Sequence, residues 1–397
     1  MNTGLAINTA HVDIEGGWGG SSRSLFELIK RLDRCRIAPI VIHREAGPLQ
    51  DWYKSIGIPT YHVPEIASLV PRENHVLKNI IARIPQLMRI NSAARKIADI
   101  TLERETDLIH LNYEGLFLLA RRLQALTHLP MIGHWRTQVG RNLWGRWLAK
   151  SFNDSTQRIF FISPNERHRF IELIARKQPV RTPLACWANE SAEVMWNIAR
   201  NSLPRQPLRN PPDIVFLGNI SESKGVLRIP YIARALSARG VSGRFSIYGQ
   251  TRSGGRLQER ISKLANDLAV ADRLDLCGHI TTIDQILSRA AVLIRPSCDS
   301  DPWGRDVIEA TSAGVPVVAT GTYNGVIEHD LNGLLVHPYS DEEFAAAIAA
   351  ILTNGERWER FSKAGQHIGR QKFGGDIQVR QFTGAVEEVA RRKDEAL

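Results

Sequence analysis

Short apolar, often β-branched runs recur at twelve places along this 397-residue chain, and the stretches between them carry helical spacing. That alternation is the sequence sign of βαβ units and parallel sheet, and it excludes helical bundles and all-β sandwiches. Six runs lie in the first half, at Leu5–Ile7, Ile40–Ile42, Thr60–Val63, Leu108–Leu111, Met131–Gly133 and Ile159–Ile162. Six more follow, at Ile214–Leu217, Phe245–Tyr248, Leu274–Leu276, Val292–Ile294, Val317–Val318 and Leu334–Val336. Between the two sets, Pro204, Pro207, Pro211 and Pro212 rule out a helix interior or a central strand over 203–212. The length is too great for one ordinary core and suits two. The expected organisation is a Rossmann-like domain over 1–200, a Pro-rich linker over 201–212, a second Rossmann-like domain over 213–375, and a terminal helix over 376–397 with Phe382, Val386 and Val389 on one side.

Composition narrows the class. A 43% hydrophobic and 23% charged chain is globular, and no apolar run approaches the ~18–20 residues of a membrane-spanning helix. The start, Met1–Asn8, lacks a basic n-region and an apolar h-region, so the expected location is the cytoplasm. The four cysteines form no C-x-x-C pair or metal spacing with histidine and read as reduced and mostly buried in strands. A net charge of +10 points to anionic partners. No DNA- or RNA-binding motif accompanies it, so nucleic acid is not an expected partner. Two basic, amphipathic stretches, Leu77–Lys96 (Leu77, Ile80, Ile81, Ile84, Leu87 and Met88 on one face, Pro85 a kink) and Arg141–Lys150 with Trp144 and Trp147, read either as domain helices with a solvated face or as a peripheral contact with anionic membrane.

Chemistry concentrates at strand-to-helix turns, where open α/β sheets bind ligands. The densest is Arg295-Pro296-Ser297-Cys298-Asp299-Ser300-Asp301-Pro302-Trp303-Gly304-Arg305-Asp306-Val307-Ile308-Glu309-Ala310. Its carboxylates Asp301 and Glu309 suit the vicinal hydroxyls of a ribose or a hexose. After the second-half strand Ile214–Leu217 comes Gly218-Asn219-Ile220-Ser221-Glu222-Ser223-Lys224-Gly225 and a helix through Leu236, so that Lys224 adds a point charge to free N–H groups. Near the start, Gly16, Gly17, Gly19 and Gly20 precede a helix with Leu25, Leu28, Ile29 and Leu32 on one face, and Ser21 or Ser22 can cap it. This is neither the dinucleotide fingerprint nor a P-loop, which removes the dehydrogenase reading. His134 ends a strand in Ile132-Gly133-His134-Trp135-Arg136.

The stretch from Pro296 to Thr320 resembles the signature of the retaining nucleotide-sugar glycosyltransferases of the group 1, or family 4, type, whose fold is GT-B: two Rossmann-like parallel-sheet domains facing a crevice. The eight-position spacing from 301 to 309 is kept, while the first acid is Asp where the family has Glu, and Asn219 stands in a slot where the family has Arg. The resemblance is tight over 213–340 and looser over 1–190, and no equivalent of one family turn is found around Trp187–Glu190. It implies catalytic roles for His134, Lys224, Asp301 and Glu309, with Glu309 on the ribose, Asp301 facing the transferred sugar and His134 in the crevice. It implies a donor site of Gly17, Gly218, Asn219, Lys224, Gly249, Asp301, Pro302, Trp303, Gly304, Arg305, Val307 and Glu309, with Arg305 or Arg228 standing in for the missing cation. Gly16, Gly17, Gly19, Gly20 and Arg136 fall on the acceptor side. The resemblance also implies that the terminal helix crosses back to the first domain. The implied reaction moves a hexose, mannose or glucose, from a nucleotide diphosphate sugar to a glycan or lipid-linked acceptor for the cell envelope or an exported polysaccharide, with no metal and no other cofactor. The departures at Asp301 and Asn219 leave an alternative, a catalytically weak nucleotide-sugar-binding scaffold of a polysaccharide assembly complex.

Overall fold

A computed structural model describes residues 6–17, 19–69, 88–174, 194–200, 202–250 and 255–394. The apolar face Leu77–Leu87 with Pro85, Cys186 and the Trp187–Glu190 turn lie outside the described residues. The chain forms two compact units, one of Met1–Ile198 with Gly375–Leu397, the other of Ala199–Gly374.

The first unit holds β1 (Ile7–Asp13), β2 (Ile37–His43), β3 (Thr60–His62), β4 (Leu108–Leu111), β5 (Met131–Trp135) and β6 (Arg158–Phe161), all parallel, in the order β3-β2-β1-β4-β5-β6. Strand β1 continues beyond the run Leu5–Ile7 to Asp13, because Asn8, Thr9 and His11 interrupt its apolar pattern without breaking its pairing, and Leu5 lies outside the described residues. One face of the sheet carries Ala10, Val12, Trp135, Phe152 and Phe170. On the other, Leu25, Leu28, Ile29 and Leu32 pack with Phe382, Val386 and Val389 of the C-terminal helix Asp376–Asp394. Arg36–Glu387 (2.6 Å) and Arg158–Glu388 (2.8 Å) pin that helix to this unit.

The second unit holds β7 (Asp213–Leu217), β8 (Arg244–Tyr248), β9 (Leu274–Gly278), β10 (Val292–Arg295), β11 (Val317–Thr320) and β12 (Gly333–Val336), again all parallel, in the order β12-β11-β10-β7-β8-β9. Counted from its own first strand, this repeats the order of the first sheet. Strands β7, β10 and β11 are buried throughout, which is why they read as continuous apolar runs. In both sheets the strand order reverses beside the first strand, between β1 and β4 and between β7 and β10. Ligands of such sheets lie at the carboxyl ends there.

The Pro-rich segment is not a free linker. Its residues cluster with the second unit, where the Arg205 guanidinium donates to the carbonyls of Leu287 and Ala290 (2.6 Å to Ala290) and Gln206 N–H donates to Ser288 (2.8 Å). The helix Ile283–Arg289 ends there with unpaired carbonyls, which a cation satisfies well. The cysteine expectation also fails, since Cys35, Cys277 and Cys298 are all exposed. No described helix is long and apolar enough to cross a membrane.

Candidate active site

At the β7 end the chain does not run straight into a helix as expected. Two 3-10 turns, Glu222–Lys224 and Val226–Arg228, precede the helix Ile229–Ala238, with Gly225 between them at φ 73. Only glycine fits there, because a Cβ would collide with the Pro296 carbonyl of the β10 loop. This contact sets Lys224 beside that loop, with Nζ 4.0 Å from Asp301 Oδ2. Gly218 and Asn219 are exposed at the strand end, and Gly249 N–H donates to Gly278 (2.8 Å), which brings the β8 loop against the Gly218 carbonyl.

Strand β10 ends in Arg295, a buried cation. Its Nη1 donates to both Asp306 oxygens (2.8 and 2.9 Å), Nη2 to Asp301 Oδ2 (2.9 Å) and Nε to the Asp301 carbonyl (2.8 Å). Burial works against its charge, and the Asp306 and Asp301 carboxylates outweigh burial and raise its pKa. Asp301 is therefore held from behind by Arg295 and faced by Lys224, while its side chain stays 41% exposed. Pro302, the buried Trp303 and Gly304 lead into the helix Arg305–Ser312, whose Val307 side chain is fully buried and leaves only its backbone for a ligand. Glu309, 5% exposed, accepts Arg200 N–H (3.0 Å) and lies 2.8 Å from Arg305 Nη2. Neither proposed substitute cation takes a phosphate-facing place. Arg305 sits on Glu309, and Arg228 donates to the Pro296 and Ser297 carbonyls and stacks over Tyr339.

The first unit builds its strand ends from different groups. Asp13 closes β1 fully buried, accepting Ile14 N–H and Asn112 Nδ2 (both 2.9 Å) and the Ser22 hydroxyl; burial raises its pKa. Ser21 donates to Glu15 (2.8 Å), whose pKa burial also raises. The serines thus serve the acids, and Gly19 caps the helix Gly20–Ile29 without a side chain. Gly17 takes φ 97 in the turn, and the Gly16 carbonyl accepts Leu49 N–H (3.0 Å). At the β4 and β5 ends, Arg136 donates to the Asn112 carbonyl (2.7 Å), Asn112 Oδ1 (2.5 Å) and Asn197 (3.0 Å). Its own N–H donates to buried Glu114 (2.8 Å), which also accepts the Thr137 hydroxyl. Burial pushes the Glu114 pKa up to about 7.

His134 is not at the strand-end surface. Alternation along β5 turns it toward the helix-covered face, where it is 2% exposed. Its Nδ1 lies 2.6 Å from His110 Nε2, His110 Nδ1 lies 2.9 Å from His11 Nδ1, and His11 Nε2 lies 3.0 Å from Thr9 Oγ1. Phe382 stacks on His11, and burial lowers all three histidine pKa values, that of His11 to about 3. The expected sugar contact through His134 is thereby corrected: the strand-end residue is Arg136.

Residues 200–368 match the family model described as glycosyl transferases group 1. The match to the group 1 glycosyltransferases falls on the second unit. Among curated relatives, it is 29% identical over 155 residues to an exopolysaccharide phosphotransferase of Streptomyces coelicolor, across 38% of this chain and 16% of that one. It is 27% identical over 263 residues to a GDP-mannose-dependent phosphatidylinositol monomannoside mannosyltransferase of Mycobacterium tuberculosis. That match covers 62% of this chain and 64% of the relative, so less than two thirds of either relative's length is spanned. Among solved structures, Anabaena HepE in complex with UDP-glucose superposes with a TM-score of 0.72 at 16% identity, over 96% of this chain and 100% of that one. That likeness shows the two-domain GT-B fold.

Sequence reasoning missed Arg295, Asp13, Glu15 and Glu114. A cation closing the apolar run Val292–Ile294, followed by three aspartates, is a legible sign of Arg295. Asp13 and Glu114 carry no such sign, because their partners Asn112, Arg136 and Thr137 come from distant strands.

Proposed function

We propose that this protein is a glycosyltransferase that moves a hexose from a nucleotide diphosphate sugar to a hydroxyl of a glycan or glycolipid with retained configuration. The observation that carries the reading is the arrangement of Lys224, Asp301 and Arg295 at the switch point of the sheet whose residues match the family. As the bond to phosphate breaks, negative charge grows on the leaving phosphate, and the Lys224 ammonium stabilises it. Positive charge grows on the sugar ring, which Asp301 offsets. Glu309 keeps lone pairs for ribose hydroxyls beyond those taken by Arg200 and Arg305. The acceptor hydroxyl loses its proton to the leaving phosphate, since no further base is assigned. At the first unit's switch point, Glu15, the glycine loop and Arg136 support an acceptor hydroxyl bound there.

The reaction needs no metal in this reading, because Asp299 is engaged by the Ser297 hydroxyl and Asp301 by Arg295. The reading extends to a cytoplasmic site of action with peripheral contact to anionic membrane. Exposed Leu143, Trp147 and Lys150 support the contact, although Trp147 also packs on Phe117. Vesicle co-sedimentation with and without anionic lipid tests that extension. The scaffold alternative rests on the Arg295–Asp301 pair, which occupies the acid that would face the sugar.

The deciding experiment follows nucleoside diphosphate release from a panel of GDP- and UDP-hexoses, with and without envelope glycolipid and with and without EDTA. Acceptor-dependent release from one donor, unaffected by EDTA, supports the transferase. Donor binding without release across acceptors supports the scaffold.

A further inference from the structure

Away from both switch points, at the amino ends of the first unit's strands, a cavity of about 460 Å³ opens between the starts of β1 and β2 and the turns before β3 and β4. Asn8, Thr9 and Thr106 line it together with two cations, Arg34 from the turn after the helix Gly20–Ile29 and Arg104 from the end of the helix Ile90–Glu103. Among the described residues no acidic side chain lines it. Arg34 Nη1 and Thr106 Oγ1 are buried without a hydrogen-bond partner. Arg104 stacks over Tyr61, and its carboxylate neighbour is the exposed Glu103 at 3.6 Å.

A buried guanidinium nitrogen with no acceptor is costly, and burial lowers the Arg34 pKa accordingly. The missing group is an acceptor, and a cavity with two arginines, hydroxyls and no acid selects an anionic one. The opposite wall, Ile40, Ile58 and Pro59, offers apolar contact to an organic remainder, and the volume falls within the range of small-molecule sites.

We propose that this cavity binds a phosphate or phosphomonoester group, gripped by Arg34 and Arg104, at a site separate from donor and acceptor. Because the cavity abuts Thr9, which bonds His11 in the buried histidine chain, the ligand would stiffen the first unit from its far edge.

The test is a thermal melt of the full chain titrated with inorganic phosphate and, separately, with glucose 6-phosphate, at constant ionic strength. Wild type is expected to show a saturable Tm rise of about 3–5 °C once the anion exceeds its Kd roughly tenfold. Arg34→Gln and the more exposed Arg104→Gln should each lose most of that rise, while Lys224→Gln keeps it. A rise with inorganic phosphate alone identifies free phosphate as the ligand, and a lower half-saturating concentration of glucose 6-phosphate identifies a phosphomonoester. No rise with either anion overturns the proposal. So does a rise that survives Arg104→Gln, or one that disappears in Lys224→Gln while persisting in both arginine variants, which would place the anion at the donor site. If Arg34→Gln does not fold, Arg104→Gln decides alone.

Discussion

The carboxyl ends of β1 and β4 and those of β7 and β10 hold the same position in two sheets of one strand order, yet they are furnished for different chemistry. At β1 and β4, the acids Asp13 and Glu114 are buried and biased toward their neutral forms, and Arg136 spends its donors on Asn112 and Asn197. At β7 and β10, the buried cation Arg295 holds acids from behind while the ammonium of Lys224 stays accessible. The lesson is that topology fixes where a ligand sits and strand-end residues decide which one. One end suits hydroxyls; the other suits a phosphate beside a polyol.

The comparison can be broken at Arg295. Arg295→Ala leaves Asp306 and Asp301 without their common cation and should destabilise the second unit by roughly 3–5 kcal/mol, read as a lower urea midpoint. Lys224→Ala should leave the melt unchanged and lower kcat about 10²–10³-fold, ~2.7–4 kcal/mol of transition-state stabilisation; an unchanged kcat would remove Lys224 from the chemistry. Glu114→Gln sharpens the other side. A carboxyl whose pKa rises from 4.5 to about 7 on folding gives its full stability contribution below pH 4.5 and loses it as pH rises to 7. The variant should therefore gain on wild type across that window, by up to about 3 kcal/mol, and gain no more above it. A difference that stays flat from pH 4.5 to 7 would mean Glu114 is ionised throughout. Gly225→Ala should lose ~1–3 kcal/mol from φ 73 alone and more from the collision with the Pro296 carbonyl, with a higher donor KM as Lys224 shifts.

Strands β7, β10 and β11 were legible because parallel strands buried on both faces leave unbroken apolar runs, while β1 was legible only at its start because Asn8, Thr9 and His11 interrupt its run. The second-unit acids were legible because Asp301 and Glu309 lie within one strand-turn-helix segment. What sequence could not show depended on direction or on distant partners. His134 looked like a strand-end residue, and one step of alternation turned it inward against His110 and Phe160. The prolines of 203–212 ruled out regular structure, but only the carbonyls at the end of the helix Ile283–Arg289 explain why Arg205 ties the segment down. The helix expected after Gly225 was delayed by one tight turn, Val226–Arg228, since Gly225 is positioned for its approach to Pro296 and not as a helix start.

The most direct test of the division of labour is calorimetric titration of UDP and GDP into wild type, Lys224→Ala, Glu309→Ala and Arg136→Ala. The account predicts that one nucleotide binds wild type and Arg136→Ala with similar Kd and is weakened at least tenfold by Lys224→Ala and by Glu309→Ala. Loss of binding in Arg136→Ala with retention in the other two would contradict it.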